Sequence, residues 1–112
     1  MKNLNRELLH GNSETLVLAL LAEDECYGYQ VRRELAARSH HYFQSSFGRL
    51  YPLLRGLERR SLVNARWVKA GKARERKHYA ITAKGRAELR ERKQKWQQFC
   101  VAMDLVLSST RK

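Results

Sequence analysis

Between Ser45 and Thr82 the hydrophobic pattern changes from a helical repeat to the alternation of strands, and that change sets the architecture. In the stretch Ser45 to Arg60, Phe47, Leu50, Leu53, Leu54 and Leu57 recur at helical spacing and form one apolar stripe. Gly48, Tyr51, Pro52, Arg55 and Arg59 cover the opposite side. Ser45 or Ser46 can cap the N-terminus, because a short hydroxyl side chain accepts a bond from an unpaired backbone N–H. Pro52 lacks an N–H, so either the first turn is irregular or regular helix starts close to Tyr51. One side of this helix needs a core. The other offers small residues, a phenol and guanidinium groups, which suits entry into a DNA major groove.

The strands follow at once. Leu62 (or Val63), Ala65 and Trp67 alternate through residues 62–69, and Arg76 to Thr82 reads as a second strand in which His78 faces away from Tyr79 and Ile81. The basic, glycine-bearing connection at 70–75 joins them as a β-hairpin. Ahead of the opening stretch lie two more helices. Ser13 to Ala22 is almost wholly apolar from Leu16 to Leu21 and should sit buried, with Ser13 as N-cap. Glu23, Asp24 and Glu25 form a turn, and Tyr27 to Arg38 is the second helix, with Val31, Leu35 and Tyr27 or Gly28 on one face. Tyr42 and Phe43, in the connection to the third helix, are expected to close over the core. Residues 1–12 are a short arm or the start of the first helix. The expectation is a mainly α chain with a small β-hairpin: a winged helix-turn-helix over residues 1–82 that carries the N-terminal arm.

A last helix runs from Ala83 to about Leu107, with Thr82 as N-cap and residues 108–112 as a tail. Leu89, Trp96 and Met103 lie seven apart, and Arg92, Phe99 and Val106 form a second row. Cys100 and Leu107 widen the stripe. Little of the sequence is left to cover a heptad stripe placed here, so the natural cover is the same helix in a second copy; the alternative is that the helix folds back on its own domain, against the first helix. Residues 83–107 are therefore expected to be a dimerisation helix.

Charge narrows the partner. Net charge is +12, and the window from Phe47 to Tyr79 holds ten basic residues against two acidic ones, so it carries eight of those charges. Such concentration favours a polyanion, since neutralised phosphates release counterions. Two readings follow: double-stranded DNA read in sequence, or a nucleoid or RNA-binding protein without sequence preference. Two short strands offer little platform for stacking single-stranded bases, which favours the first. No glycine-rich phosphate loop, nucleophile elbow or metal-ligand spacing occurs, so the chain does not read as an enzyme and no metal or cofactor is expected. Cys26 and Cys100 are far apart and read as reduced thiols, and His40-His41 reads as loop. No apolar run approaches a membrane span and no export signal is visible, so a cytoplasmic location without a membrane partner is expected.

Leu18-Ala19-Leu20-Leu21-Ala22 with Tyr27-Gly28-Tyr29, then Gly48 to Glu58 (GRLYPLLRGLE), then Arg76 to Gly85 (RKHYAITAKG) resemble the PadR family of bacterial transcriptional regulators. The resemblance covers about residues 8 to 107 and points to the short branch with one C-terminal helix. It implies a homodimer that binds an inverted-repeat operator, usually as a repressor. The DNA-facing set is Ser45, Ser46, Gly48, Arg49, Tyr51, Pro52 and Arg55 on the helix, with Lys72, Arg74, Arg76 and Lys77 on the hairpin. The implied dimer interface is Leu89, Trp96, Phe99, Cys100, Met103, Val106 and Leu107. In some short members that interface encloses a pore where planar aromatic compounds stack on a tryptophan. Trp96 matches that tryptophan, and Leu8, Thr15, Leu18, Lys93 and Cys100 carry over to the lining. Arg49 stands where the family often has threonine, which implies a different operator sequence, and His78 stands where tyrosine is common.

Overall fold

The computed structural model describes residues 12–44, 47–69, 71 and 75–110, and for Phe47 and Gly48 the backbone alone. Three helices come first: α1 (Ser13–Glu23), α2 (Gly28–Arg38) and α3 (Phe47–Arg59). Strands β1 (Cys26–Tyr27), β2 (Val63–Lys69) and β3 (Glu75–Ile81) form one antiparallel sheet in the order β1-β3-β2. Helix α4 (Ala83–Ser109) closes the chain, two residues longer than the heptad rows require. The result is a winged helix-turn-helix with a long C-terminal helix.

The core forms where the apolar faces of α1 and α3 meet the inner face of the sheet. Leu18, Val31, Leu50, Leu54, Leu57, Val63 and Tyr79 are fully buried in one cluster. Asn12, not Ser13, occupies the N-cap position of α1, and no side-chain bond caps that helix. Helix α2 starts where the Gln30 side chain accepts the backbone N–H of Tyr27 at 3.0 Å, which satisfies one of the donors a helix start leaves open. It ends with His40 and His41 both in the left-handed region, and the His41 N–H donates to the Ala36 carbonyl at 2.7 Å. This is a helix stop, consistent with reading the histidine pair as loop. Tyr42 departs from expectation: it points outward, and only Phe43 is half-buried, meeting the Tyr42 ring edge-on.

The sheet also departs from the expected hairpin. Cys26 and Tyr27 pair with Tyr79 and His78, adding a third strand on the far side of β3. A strand of two residues is too short for a period to reveal it. β2 and β3 pair over their full length, with Ala65 opposite Tyr79 and Trp67 opposite Lys77. The inward face carries Val63 and Ala65 as expected, but Trp67 at its far end is 63% exposed. Thr82 joins sheet to helix: its hydroxyl accepts the Gly85 N–H at 2.9 Å and donates to the Ser61 carbonyl at 2.7 Å.

Candidate nucleic-acid interface

Burying Leu50, Leu54 and Leu57 of α3 turns Arg49, Tyr51, Pro52, Arg55 and Arg59 outward, as the stripe predicts. The helix begins at Phe47 and runs as regular helix through Pro52, so neither alternative for its start holds: the proline sits one turn inside the helix. There the missing N–H forfeits only one intrahelical bond. The exposed C-terminal end is held by Ser61, whose positive φ of 62° lets the N–H groups of Ser61 and Leu62 donate to the Glu58 and Leu57 carbonyls, both at 2.9 Å.

Beside α3 lies an open groove of about 610 Å³. Tyr51 and Arg55 form one wall, Trp67, Glu75, Arg76 and Lys77 of the wing form the other, and Tyr27, Gly28, Tyr29 and Tyr79 lie between them. Gly28 is buried where α2 begins, and a Cβ there would lie 2.9 Å from the Tyr51 Oη. The glycine thus lets the Tyr51 phenol rest on the start of α2. The Arg76 guanidinium sits 4.5 Å from the centre of the Tyr27 ring, and Lys77 donates to Glu58 at 3.3 Å.

Ion pairs sort the positive charge. Arg66 pairs with Glu25 at 2.7 Å, His78 Nδ1 lies 3.3 Å from the same carboxylate, and Arg60 pairs with Glu14. Among the described residues, Arg49, Arg55, Arg59 and Lys69 take part in no ion pair. Among the described residues the wing's Arg66 and Lys77 are thus held by carboxylates, while the exposed arginines of α3 are not; Arg33 on α2 and Lys84, Arg86, Arg90 and Lys93 on α4 also stand outside the ion pairs.

Of the residues expected to face a nucleic acid, Tyr51, Arg55, Arg76 and Lys77 come together in this groove. Arg49 and Pro52 are exposed on α3 but outside its lining, and Gly48 is described in its backbone only. Ser45, Ser46, Lys72 and Arg74 lie outside the described residues. Sequence reasoning missed Tyr27, Tyr29 and Trp67 as groove residues. The available signal is three aromatic residues close in sequence to basic ones.

A second groove of about 480 Å³ lies where α4 leaves the domain, lined by Asn12, Glu14, Thr15, Arg92, Lys95, Trp96 and Phe99. Of the pore residues implied by resemblance, it unites Thr15 and Trp96 only. Leu18 is a correction: it is 0% exposed and belongs to the core, because nearly the whole surface of α1 is apolar. Lys93 is exposed and Cys100 half-buried, both away from this lining, and Leu8 lies outside the described residues. Phe99 stacks on Trp96 with ring centres 5.8 Å apart. Partial burial opposes the charge on Glu14, but hydrogen bonds from Arg60 and Arg92 outweigh it and hold its pKa below the usual carboxylate value.

Along α4 the expected interface row divides. Leu89 is a second correction: at 7% exposure it packs in the domain's own core, since α4 lies against α1 at that level. Trp96, Phe99, Met103, Val106 and Leu107 are exposed, joined by Val101 and Leu105.

Other chemistry finds little support. Burial pushes the Cys26 thiol up, and Asp24 and Glu34 push it further, which disfavours the reactive thiolate. Among the described residues no group of three His, Cys, Asp or Glu could hold a metal ion, and no helix is long and apolar enough to cross a membrane.

A family model described as the transcriptional regulator PadR-like family matches residues 17–91. The structure of a PadR-like transcriptional regulator from Bacillus cereus superposes with a TM-score of 0.81 at 28% identity, covering 93% of this chain and 99% of that one. A PadR family transcriptional regulator from Eggerthella lenta gives 0.78 at 32% identity, covering 95% and 87%. A relative from Lysinibacillus sphaericus is 28% identical over 101 residues, 90% of this chain and 93% of that one.

Proposed function

The chain belongs to the PadR-like family of transcriptional regulators, and from that membership we propose that it is a homodimeric repressor that binds an inverted-repeat operator in double-stranded DNA. The family's members regulate transcription and are not enzymes. The observation that carries the reading is the outward face of α3, where Arg49, Arg55 and Arg59 stand exposed without carboxylate partners among the described residues. Arg49, Tyr51 and Arg55 face base edges and phosphates of a major groove, while Arg76 and Lys77 hold the backbone beside it. Ser45, Ser46, Gly48 and Pro52 belong to the same face, and Lys72 and Arg74 to the wing.

Residues 1–82 form the DNA-binding part and residues 83–107 the dimerisation helix, with 108–112 as a tail. Trp96, Phe99, Met103, Val106 and Leu107 leave a run of exposed apolar side chains along one helix, the kind of surface that marks an interaction site. A second α4 covers it, and the two-fold axis sets two α3 helices against successive major-groove faces. A planar aromatic inducer is part of the proposal: it binds beside Trp96 and Thr15, and it must displace Phe99 or use the other face of the indole.

The test is competition between a duplex selected from genomic fragments and bulk DNA at physiological salt. A sequence-specific regulator keeps the selected duplex against a large excess of competitor. Equal displacement favours the second reading, a nucleic-acid binder without sequence preference, which the same positive face supports. Arg49→Ala separates roles within the first reading: it costs about 1–3 kcal/mol on the true site and relaxes sequence preference. For the inducer, planar aromatic compounds should quench tryptophan emission in the wild type and not in Trp96→Ala.

A further inference from the structure

We infer that Trp67 is a non-ionic DNA contact of the wing, its indole lying against the sugar–phosphate wall of the duplex beside α3. The inference rests on the DNA-binding reading above and adds a residue and a kind of force to it.

Alternation sets Val63, Ala65 and Trp67 on one face of β2, across from Ile81, Tyr79 and Lys77 of β3. At Val63 and Tyr79 that face is buried in the core. At Trp67 the same face is open, because the hairpin runs on past the core and the groove beside α3 lies in front of it. The ring is therefore placed by the strand and stabilises no core. A lone exposed aromatic would need no explanation. Trp67 is not alone: Tyr27, Tyr29 and Tyr51 line the same groove, interleaved with Arg55, Arg76 and Lys77.

The geometry of B-DNA identifies the occupant. A helix in the major groove, about 12 Å wide, has a sugar–phosphate wall on either side. The space between α3 and the wing is where one wall passes. That wall alternates an apolar deoxyribose with a charged phosphate. Arg76 and Lys77 suit the phosphates. The indole offers a flat apolar face for the sugar and one N–H for a phosphate oxygen.

Its signature differs from that of the cations around it. An uncharged side chain releases no counterion, so its loss should weaken binding without changing the salt dependence. The contact is to the backbone, so a mixed-sequence duplex long enough for both half-sites is a sufficient probe and no operator is required. Binding is followed at several salt concentrations by anisotropy of the labelled duplex. Trp67→Ala should lose about thirtyfold in affinity, for roughly 80 Å² of ring surface no longer removed from water. The slope of log affinity against log salt should stay unchanged, Trp67→Phe should regain most of the loss, and Arg76→Ala should lower the slope by about one. The wild type has two tryptophans, and its tryptophan emission should change on adding duplex, a change that should be lost in Trp67→Phe. Affinity within twofold of wild type for Trp67→Ala overturns the inference, and so does an emission that does not respond to duplex or responds equally in Trp67→Phe. A salt slope lowered by Trp67→Ala overturns it too, since that would mean displaced cations rather than a lost apolar contact. A wild-type chain that binds no duplex overturns the DNA-binding reading and this one together; a wild type that binds as well as Trp67→Ala overturns this one alone.

Discussion

Replacing Gly85 by alanine should destabilise the fold at the joint between wing and α4. Gly85 lies in the first turn of that helix, and a Cβ there would stand 2.1 Å from the Leu62 carbonyl oxygen and 2.7 Å from Ile81 Cγ1. No real Cβ contact is that short, and the first obstacle is backbone that cannot swing aside. Helix start and hairpin base must separate by about 1 Å to restore ordinary contact. The same carbonyl accepts the Thr82 N–H at 3.1 Å and the Thr82 hydroxyl at 3.0 Å, and that hydroxyl also receives the Gly85 N–H. Losing the Thr82 N–H and Gly85 N–H bonds costs about 2 kcal/mol, since the Thr82 hydroxyl keeps its bond to the Ser61 carbonyl, and the better helix propensity of alanine offsets about 1 kcal/mol. The net loss of about 1 kcal/mol should lower Tm by roughly 4 °C for a chain of this size. The assay is thermal unfolding followed by circular dichroism at one protein concentration, because subunit association would make Tm concentration-dependent. Gly56→Ala is the matched control: in the middle of α3 its Cβ meets only Arg60 Nη2, at 3.8 Å, so Tm should rise slightly. Equal shifts for the two variants would refute the steric account.

Ser61→Gly should stabilise by about 0.5–1 kcal/mol, because Ser61 holds a left-handed backbone that glycine adopts without strain; an unchanged urea midpoint would contradict this. Gly28→Ala should push the exposed Tyr51 ring off the start of α2, lowering DNA affinity while Tm stays within a few degrees; unchanged affinity would remove Tyr51 from the interface. Glu14 has a folded pKa below its usual 4.5, so its contribution to stability is present above 4.5 and is lost as pH falls through the lowered value. Urea midpoints measured from neutral to acid pH should fall more steeply for wild type than for Glu14→Gln, and parallel curves would exclude Glu14 as the source.

Helix α3 was readable because its stripe of leucines is long, periodic and flanked by residues of opposite character, and Leu50, Leu54 and Leu57 are buried as the spacing requires. The start of α4 was readable too, since Thr82 is a good N-cap followed by a helical run. Other features depend on where one element stops touching another. The heptad containing Leu89, Trp96 and Met103 is continuous in sequence, yet Leu89 lies under α1 and the other two lie beyond it. Alternation placed Trp67 on the correct face of β2, but period two carries no information about where the core beneath that face ends. The same holds for Leu18, whose helix is apolar nearly all round, so no pattern distinguishes the side toward the core from the side toward the second groove. Strand β1 escapes because two residues have no period, and its pairing with His78 and Tyr79 is decided by the turn before it.

As proposed, a dimer of this chain presents two copies of α3 to one operator. Selecting bound fragments from the source organism's genomic DNA at physiological salt, then footprinting the winners, tests it directly. The expected result is a protected inverted repeat with half-sites about one helical turn apart. Recovered fragments without a shared motif, protected evenly along their length, would contradict it.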